Sequence, residues 1–181
     1  MDYFMKTRQL VLAAVFAAMI AVLAPLSVPT GVVPLTLQTM IVPLVASVTL
    51  LPISLSAVAV YLLLGVVGMP VFAGWTSGVG IVIGPTGGYL IGLLLFPLII
   101  GWGIKLSAKW YALTAWNLIA AFLQLVFGTV WLAVAAKMSL ANAMSTGLVA
   151  FIVPTLIKVV IVVALAMMIG RVMRLPIGKE Y

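Results

Sequence analysis

The chain runs as long apolar stretches broken by proline, glycine and charge, and six stretches fit helices of membrane-crossing length. They cover roughly residues 9–27, 33–50, 53–69, 82–103, 111–134 and 146–170. At about 1.5 Å of rise per residue each reaches about across a bilayer core, the second and third being short. The break between those two rests on Leu51-Pro52 alone, and fusing them would leave five spans. Between the third and fourth, GMPVFAGWTSGVG is too polar and glycine-rich to span, and reads as an outer loop folded over a cavity.

Composition turns this pattern into a class. Of 181 residues, 66% are hydrophobic and only 6% charged, where a soluble domain would carry about a quarter. The mean hydropathy is +1.43. The expectation is an all-α integral membrane protein, one multi-pass transmembrane domain over 1–181 in the cell membrane. A secretory signal ahead of a soluble domain does not fit, because no soluble stretch follows. With no Cys and no His, disulfides, thiol chemistry, ordinary zinc sites and imidazole acid–base chemistry are out of reach.

Charge fixes an orientation. The net charge is +7, but the basic residues are dispersed, which argues against a nucleic-acid surface and for topology markers. Six spans with a cytoplasmic N-terminus put Lys6, Arg8, Lys105, Lys109, Arg171, Arg174 and Lys179 inside and only Lys137 outside. That is the positive-inside asymmetry. Five spans would separate Lys105 and Lys109 from Lys6 and Arg8, so six are expected, with both termini cytoplasmic. Trp75 and Trp131 then fall near the outer boundary and Trp102 and Trp110 near the inner one, with Trp116 deeper.

Lys158 breaks the pattern. It lies mid-span in LVAFIVPTLIKVVIVVALAMM, where a lysine costs roughly 2.5–3.5 kcal/mol to insert and by default marks a functional site. The only acids are Asp2 and Glu180, neither within a span. Lys158 must therefore be neutralised, sit in a wet cavity, or meet a negative group brought by a ligand; snorkelling is the bland alternative, from too great a depth. Gln38 and Tyr89 fall in the outer halves of their spans, and Thr155 sits one turn before Lys158 on the same face. These residues can line one cavity open to the outside. For Gln38 an interhelical hydrogen bond is an equal alternative. Asn117, Gln124 and Gly128 share a face of span five and read as packing.

The segment VIGPTGGYLIG suggests a phosphate cradle, but no lysine and hydroxyl follow it in the P-loop manner. The spacing of a dinucleotide fingerprint is also wrong, and no intramembrane acid exists to hold magnesium. Gly80, Gly84, Gly88 and Gly92 instead recur every fourth residue, along one helical face that lets a neighbour approach closely. Pro85 suits that helix's first turn. In span one, Ala14 and Ala18, and likewise Ala13 and Ala17, repeat the small-residue spacing.

In the order VPLTLQTM, YLLLGVVGMPVFAG, GPTGGYLIG, FGTVWLA and AFIVPTLIK, the chain resembles the BioY family from about residue 10 to 170. That family supplies the biotin-specific S component of energy-coupling factor (ECF) vitamin transporters. The resemblance implies a six-helix bundle that captures biotin with high affinity from outside, with no cofactor and no metal. It also implies docking, through an A-x-x-x-A motif in the first helix, onto a transmembrane coupling subunit driven by two ABC-type ATPases. Ala14 and Ala18 match that motif best, Ala13 and Ala17 being the alternative. The family's sixth helix carries P-G-D-x-x-K; here Lys158 is kept, Thr155 replaces the Asp, and Val153-Pro154 replaces Pro-Gly. The site implied is Lys158, Thr155, Tyr89 and Gln38. The Thr155 departure leaves open an S component for another small carboxylate cofactor. A self-sufficient facilitator or channel is a further alternative. An embedded enzyme would have Lys158 and Tyr89 alone for acid–base work, so no enzyme is expected.

Overall fold

The computed structural model describes residues 2–173; Arg174, Lys179 and Glu180 lie outside the described residues, as do the side chains of Asp2, Lys6 and Arg171. The chain begins with α1 (Asp2–Leu23) and a hairpin of β1 (Ser27–Val28) and β2 (Leu35–Thr36), followed by α2 (Gln38–Val48) and α3 (Leu51–Val67). After a loop with a 3-10 turn (Ala73–Trp75) come α4 (Val79–Ile83), α5 (Gly87–Ile91) and α6 (Leu95–Leu106). The bundle ends with α7 (Trp110–Ala135), α8 (Leu140–Met144), a π-helical turn (Ser145–Val149) and α9 (Ala150–Met173). Among the described residues three continuous helices are long and apolar enough to cross a membrane: Gly87–Leu106, Trp110–Ala135 and Leu140–Gly170. Thr7–Leu23, Gln38–Val48 and Leu51–Val67 are shorter apolar helices.

The break at Leu51-Pro52 is real. α2 stops at Val48 and α3 restarts with Pro52 in its first turn, where the missing N–H has no partner to lose. The stretch 33–50 is nevertheless not one helix. Its first residues are extended, with Leu35 and Thr36 paired to Val28 and Ser27. Pro34 and the Thr30-Gly31 turn, with Gly31 at φ +124°, favour this hairpin over helix. What remains is an 11-residue α2, about 16 Å long at the usual rise.

The stretch 82–103 also differs from its expected form. Gly84 adopts an extended ψ of −176°, ending α4, and Gly87 N–H closes a turn on Gly84 O at 3.0 Å. Pro85 therefore occupies the second position of that turn, two residues ahead of α5, and is not in the helix's first turn. The four glycines consequently do not share a helical face. Only Gly88 and Gly92 face α7 closely, where a Cβ would meet Trp131 and Gln124.

α1 packs chiefly on α3, α6 on α7, and α2 on α9 and α6. α1 turns Ala13, Ala17 and Ile20 into the core, while Ala14 and Ala18 lie on its exposed side.

Candidate functional site

A cavity of about 230 Å³ opens where the broken elements converge. Four sides build it: the β2–α2 junction, the loop after α3, the starts of α4 and α5, and the facing sides of α7 and α9. Each irregular backbone segment here frees polar groups that a continuous helix would have consumed.

On α9, Phe151, Thr155 and Lys158 stand at i, i+4 and i+7, so helical periodicity alone aims all three at the cavity. Lys158 is half-buried and is the one charged residue in the lining. Its ammonium donates to the Thr36 carbonyl at 2.6 Å and to Thr39 Oγ1 at 2.7 Å. No carboxylate meets it among the described residues; neutral oxygens of the β2–α2 junction hold it instead. An ammonium has three N–H donors, and two are spent here. The third remains for a ligand acceptor. The Thr155 hydroxyl, one turn away, makes no hydrogen bond among the described residues.

Gln38 opens α2. Its Nε2 donates to the Tyr61 hydroxyl at 2.6 Å, an interhelical bond, and its side chain lines the cavity. Tyr89 lines the cavity too, but its hydroxyl is engaged, donating to Gly147 O at 3.0 Å and pairing with Thr129 Oγ1 at 3.0 Å. Gly128 and Gly147 leave the room for it, since a Cβ at either would collide with the tyrosine. Tyr89 therefore offers a ligand its ring and not a free hydroxyl.

Most of the lining lies beyond the four residues expected from sequence, and Thr39, Phe151, Gln124 and Phe72 are examples. Thr39 follows Gln38 directly, and Phe151 shares the Thr155–Lys158 periodicity, so both carried a signal. Gln124, expected to pack, does so by donating to Tyr89 O at 3.0 Å, yet it also lines the cavity. Phe72 comes from the loop expected to cover the site, together with Ala73 and Thr76. Ala14, Ala18, Ala13 and Ala17 lie on α1, apart from this cavity.

The lining contains no acid, and no metal-binding cluster of His, Cys, Asp or Glu occurs among the described residues. The arrangement is suited to hold a compact molecule with oxygen acceptors. Its volume falls somewhat below the ~300–1,000 Å³ of drug-sized pockets.

Comparison with known proteins points the same way. The BioY family model matches residues 1–175. The biotin transporter BioY2 of Lactococcus lactis subsp. cremoris is 39% identical over 159 residues, covering 87% of each chain. The biotin transporter BioY of Thermotoga maritima is 38% identical over 167 residues, covering 91% of this chain and 96% of its own. A 2.1 Å crystal structure of the S-component for biotin from an ECF-type ABC transporter superposes with a TM-score of 0.86. That chain is 27% identical, and the match covers 94% of this chain and 95% of that one. These relatives are transporters, not enzymes.

Proposed function

The chain belongs to the BioY family of biotin-transporter S components, and on that premise we propose that it captures biotin with high affinity in the cavity around Lys158. One observation carries the reading: the single charge in the cavity is a lysine held by neutral oxygens, with one N–H to spare. Biotin supplies oxygen acceptors at both its ureido and carboxylate ends. The remaining hydrogen bonds come from Thr155 and Gln38, and Tyr89 contributes its ring. Loop residues Phe72, Ala73 and Thr76 cover the site.

In this reading the bundle crosses the cell membrane six times with both termini cytoplasmic, and the short α2 is completed by the hairpin that precedes it. Import against a gradient needs energy, and this chain holds no nucleotide motif. The S-component fold supports a coupling subunit and a pair of ABC-type ATPases as the source. Ala14 and Ala18, exposed on α1, are the docking surface; Ala13 and Ala17 are 4% and 1% exposed and already packed inside this chain.

Thr155 favours one second reading. Without the family's Asp, the pocket lacks a charged acceptor for ligand N–H groups, which fits another small carboxylate cofactor. Mass spectrometry of the molecule that co-purifies separates the two, biotin being expected. In liposomes holding the chain alone, the capture reading predicts binding without downhill flux; flux without partners would replace it with a facilitator.

A further inference from the structure

Tyr61 of α3 is completely buried and does not line the cavity, yet it bonds Gln38, which does, and Val71, which directly precedes the lining residues Phe72 and Ala73. Its hydroxyl accepts from Gln38 Nε2 at 2.6 Å and donates to the Val71 carbonyl at 3.2 Å. Gln38 lies between Thr36 and Thr39, the two acceptors of Lys158. Val71 immediately precedes Phe72 and Ala73 of the covering loop. A continuous polar chain thus runs from Lys158 through the β2–α2 junction, Gln38 and Tyr61 to the loop. Both ends of that chain face the cavity.

We propose that Tyr61 is a positioning residue that ties the covering loop to the Lys158 anchor, so that loop placement and ligand engagement are coupled through the first turn of α2. This rests on the capture reading of the cavity. Packing alone would not call for the hydroxyl. Phe72 is already lodged in a notch at Gly65, where a Cβ would collide with its ring, and it meets Tyr61 edge-on at 5.8 Å between centroids. A phenylalanine at position 61 would keep both contacts. What it would lose are the two bonds that fix the Val71 carbonyl and the Gln38 amide. Both residues are only 6% exposed, so each group would be stranded away from water. Lifting the loop is the simplest remedy, because few backbone bonds tie it to the rest of the bundle, chiefly Gly74 N to Pro25 O and Gly78 N to Gly65 O, while Phe72 N to Thr76 O closes the loop on itself.

The chain has no cysteine, so Ser77→Cys places a single thiol on the loop, outside the cavity lining. The full chain in nanodiscs is labelled with a water-soluble maleimide, without ligand, with and without Tyr61→Phe. Labelling is expected to run about three- to tenfold faster with Tyr61→Phe, the scale of one lost hydrogen bond. Equal rates overturn the proposal. Dissociation of radiolabelled biotin is expected to quicken by about five- to tenfold in the same variant. A rate constant for dissociation does not depend on the fraction of folded protein, so mere destabilisation would leave it unmoved. Faster labelling with unchanged dissociation overturns the coupling. If the unsubstituted protein retains no biotin, the capture reading falls, while the ligand-free labelling still decides the loop tie. Gln38→Leu cuts the same chain from its other side and answers the labelling question if Tyr61→Phe does not fold: faster labelling supports the tie and an unchanged rate overturns it.

Discussion

Two of the polar clusters inside this apolar bundle differ in one respect: one borders the cavity and the other is packed within the helices. Around Lys158, the Thr36 carbonyl, Thr39 and Gln38 meet at the junction of a hairpin and a helix, beside a cavity. Around Asn117, a completely buried side chain on α7 donates to Ser47 Oγ at 3.2 Å and to Leu113 O at 2.9 Å, and it does not line that cavity. Gln124 lies on the same face of α7 as Asn117, seven residues on, and reaches the cavity. Polarity inside an apolar helix is therefore a weak marker by itself. The discriminating feature is a spare hydrogen-bonding valence facing open space.

The contrast is tested most severely by Lys158→Met. It removes the charge and the spare donor while keeping much of the stem's bulk. Biotin affinity is expected to fall at least about tenfold, the scale of a lost charge-assisted bond. Stability is expected to hold or rise, because a mid-span lysine carries an insertion cost of about 2.5–3.5 kcal/mol that methionine lacks. Equilibrium binding and thermal unfolding in one detergent measure both. Undiminished affinity would remove Lys158 from the site. Thr39→Val is the next step down. It deletes the 2.7 Å bond but leaves Lys158 its carbonyl acceptor at Thr36. An affinity loss of about three- to fivefold is expected, below one full hydrogen bond, and a loss equal to that of Lys158→Met would show that Thr39 itself holds the ligand.

Much of this division was legible in the residues. Lys158 stood out because a lysine at mid-span is costly and snorkelling from that depth is a long reach. Its neighbour Thr155 followed from helical spacing, and Leu51-Pro52 correctly marked a chain break. What stayed hidden was the irregular backbone. Residues 33–37 are apolar enough to extend a helix on hydropathy, yet Pro34 and the Thr30-Gly31 turn keep them out of it, with Leu35 and Thr36 in a strand. The four-residue glycine period promised one face, but Gly84 breaks the helix in its middle. Local composition records the total polarity of such a segment and not where its freed carbonyls point. The Thr36 carbonyl that holds Lys158 is a backbone group, and no side-chain pattern can show it.

Tyr89 straddles the two kinds of environment: its ring lines the cavity and its hydroxyl is spent inside the bundle. Tyr89→Phe should therefore act mainly on stability, lowering it by about 1–2 kcal/mol through the stranded Gly147 carbonyl. Affinity should change by less than about threefold, under the scale of a single ligand bond. A larger affinity loss would mean that the hydroxyl leaves Gly147 for the ligand.

The smallest effect belongs to the closed cluster. Asn117→Leu replaces the amide with an apolar group of similar size and removes the bond to Ser47. The serine hydroxyl can turn to a carbonyl of its own helix, as serines in helices do. The Asn117 Oδ1, which has no hydrogen-bond partner among the described residues, disappears with the amide. Loss of one bond and removal of one unsatisfied acceptor nearly cancel, so stability should stay within about 1 kcal/mol. Biotin affinity should stay within about twofold, since no cavity-lining group is disturbed. Binding isotherms on the folded fraction decide the matter. A tenfold loss there would mean that α7 transmits strain from Asn117 to Gln124, and access to open space would no longer separate site from packing.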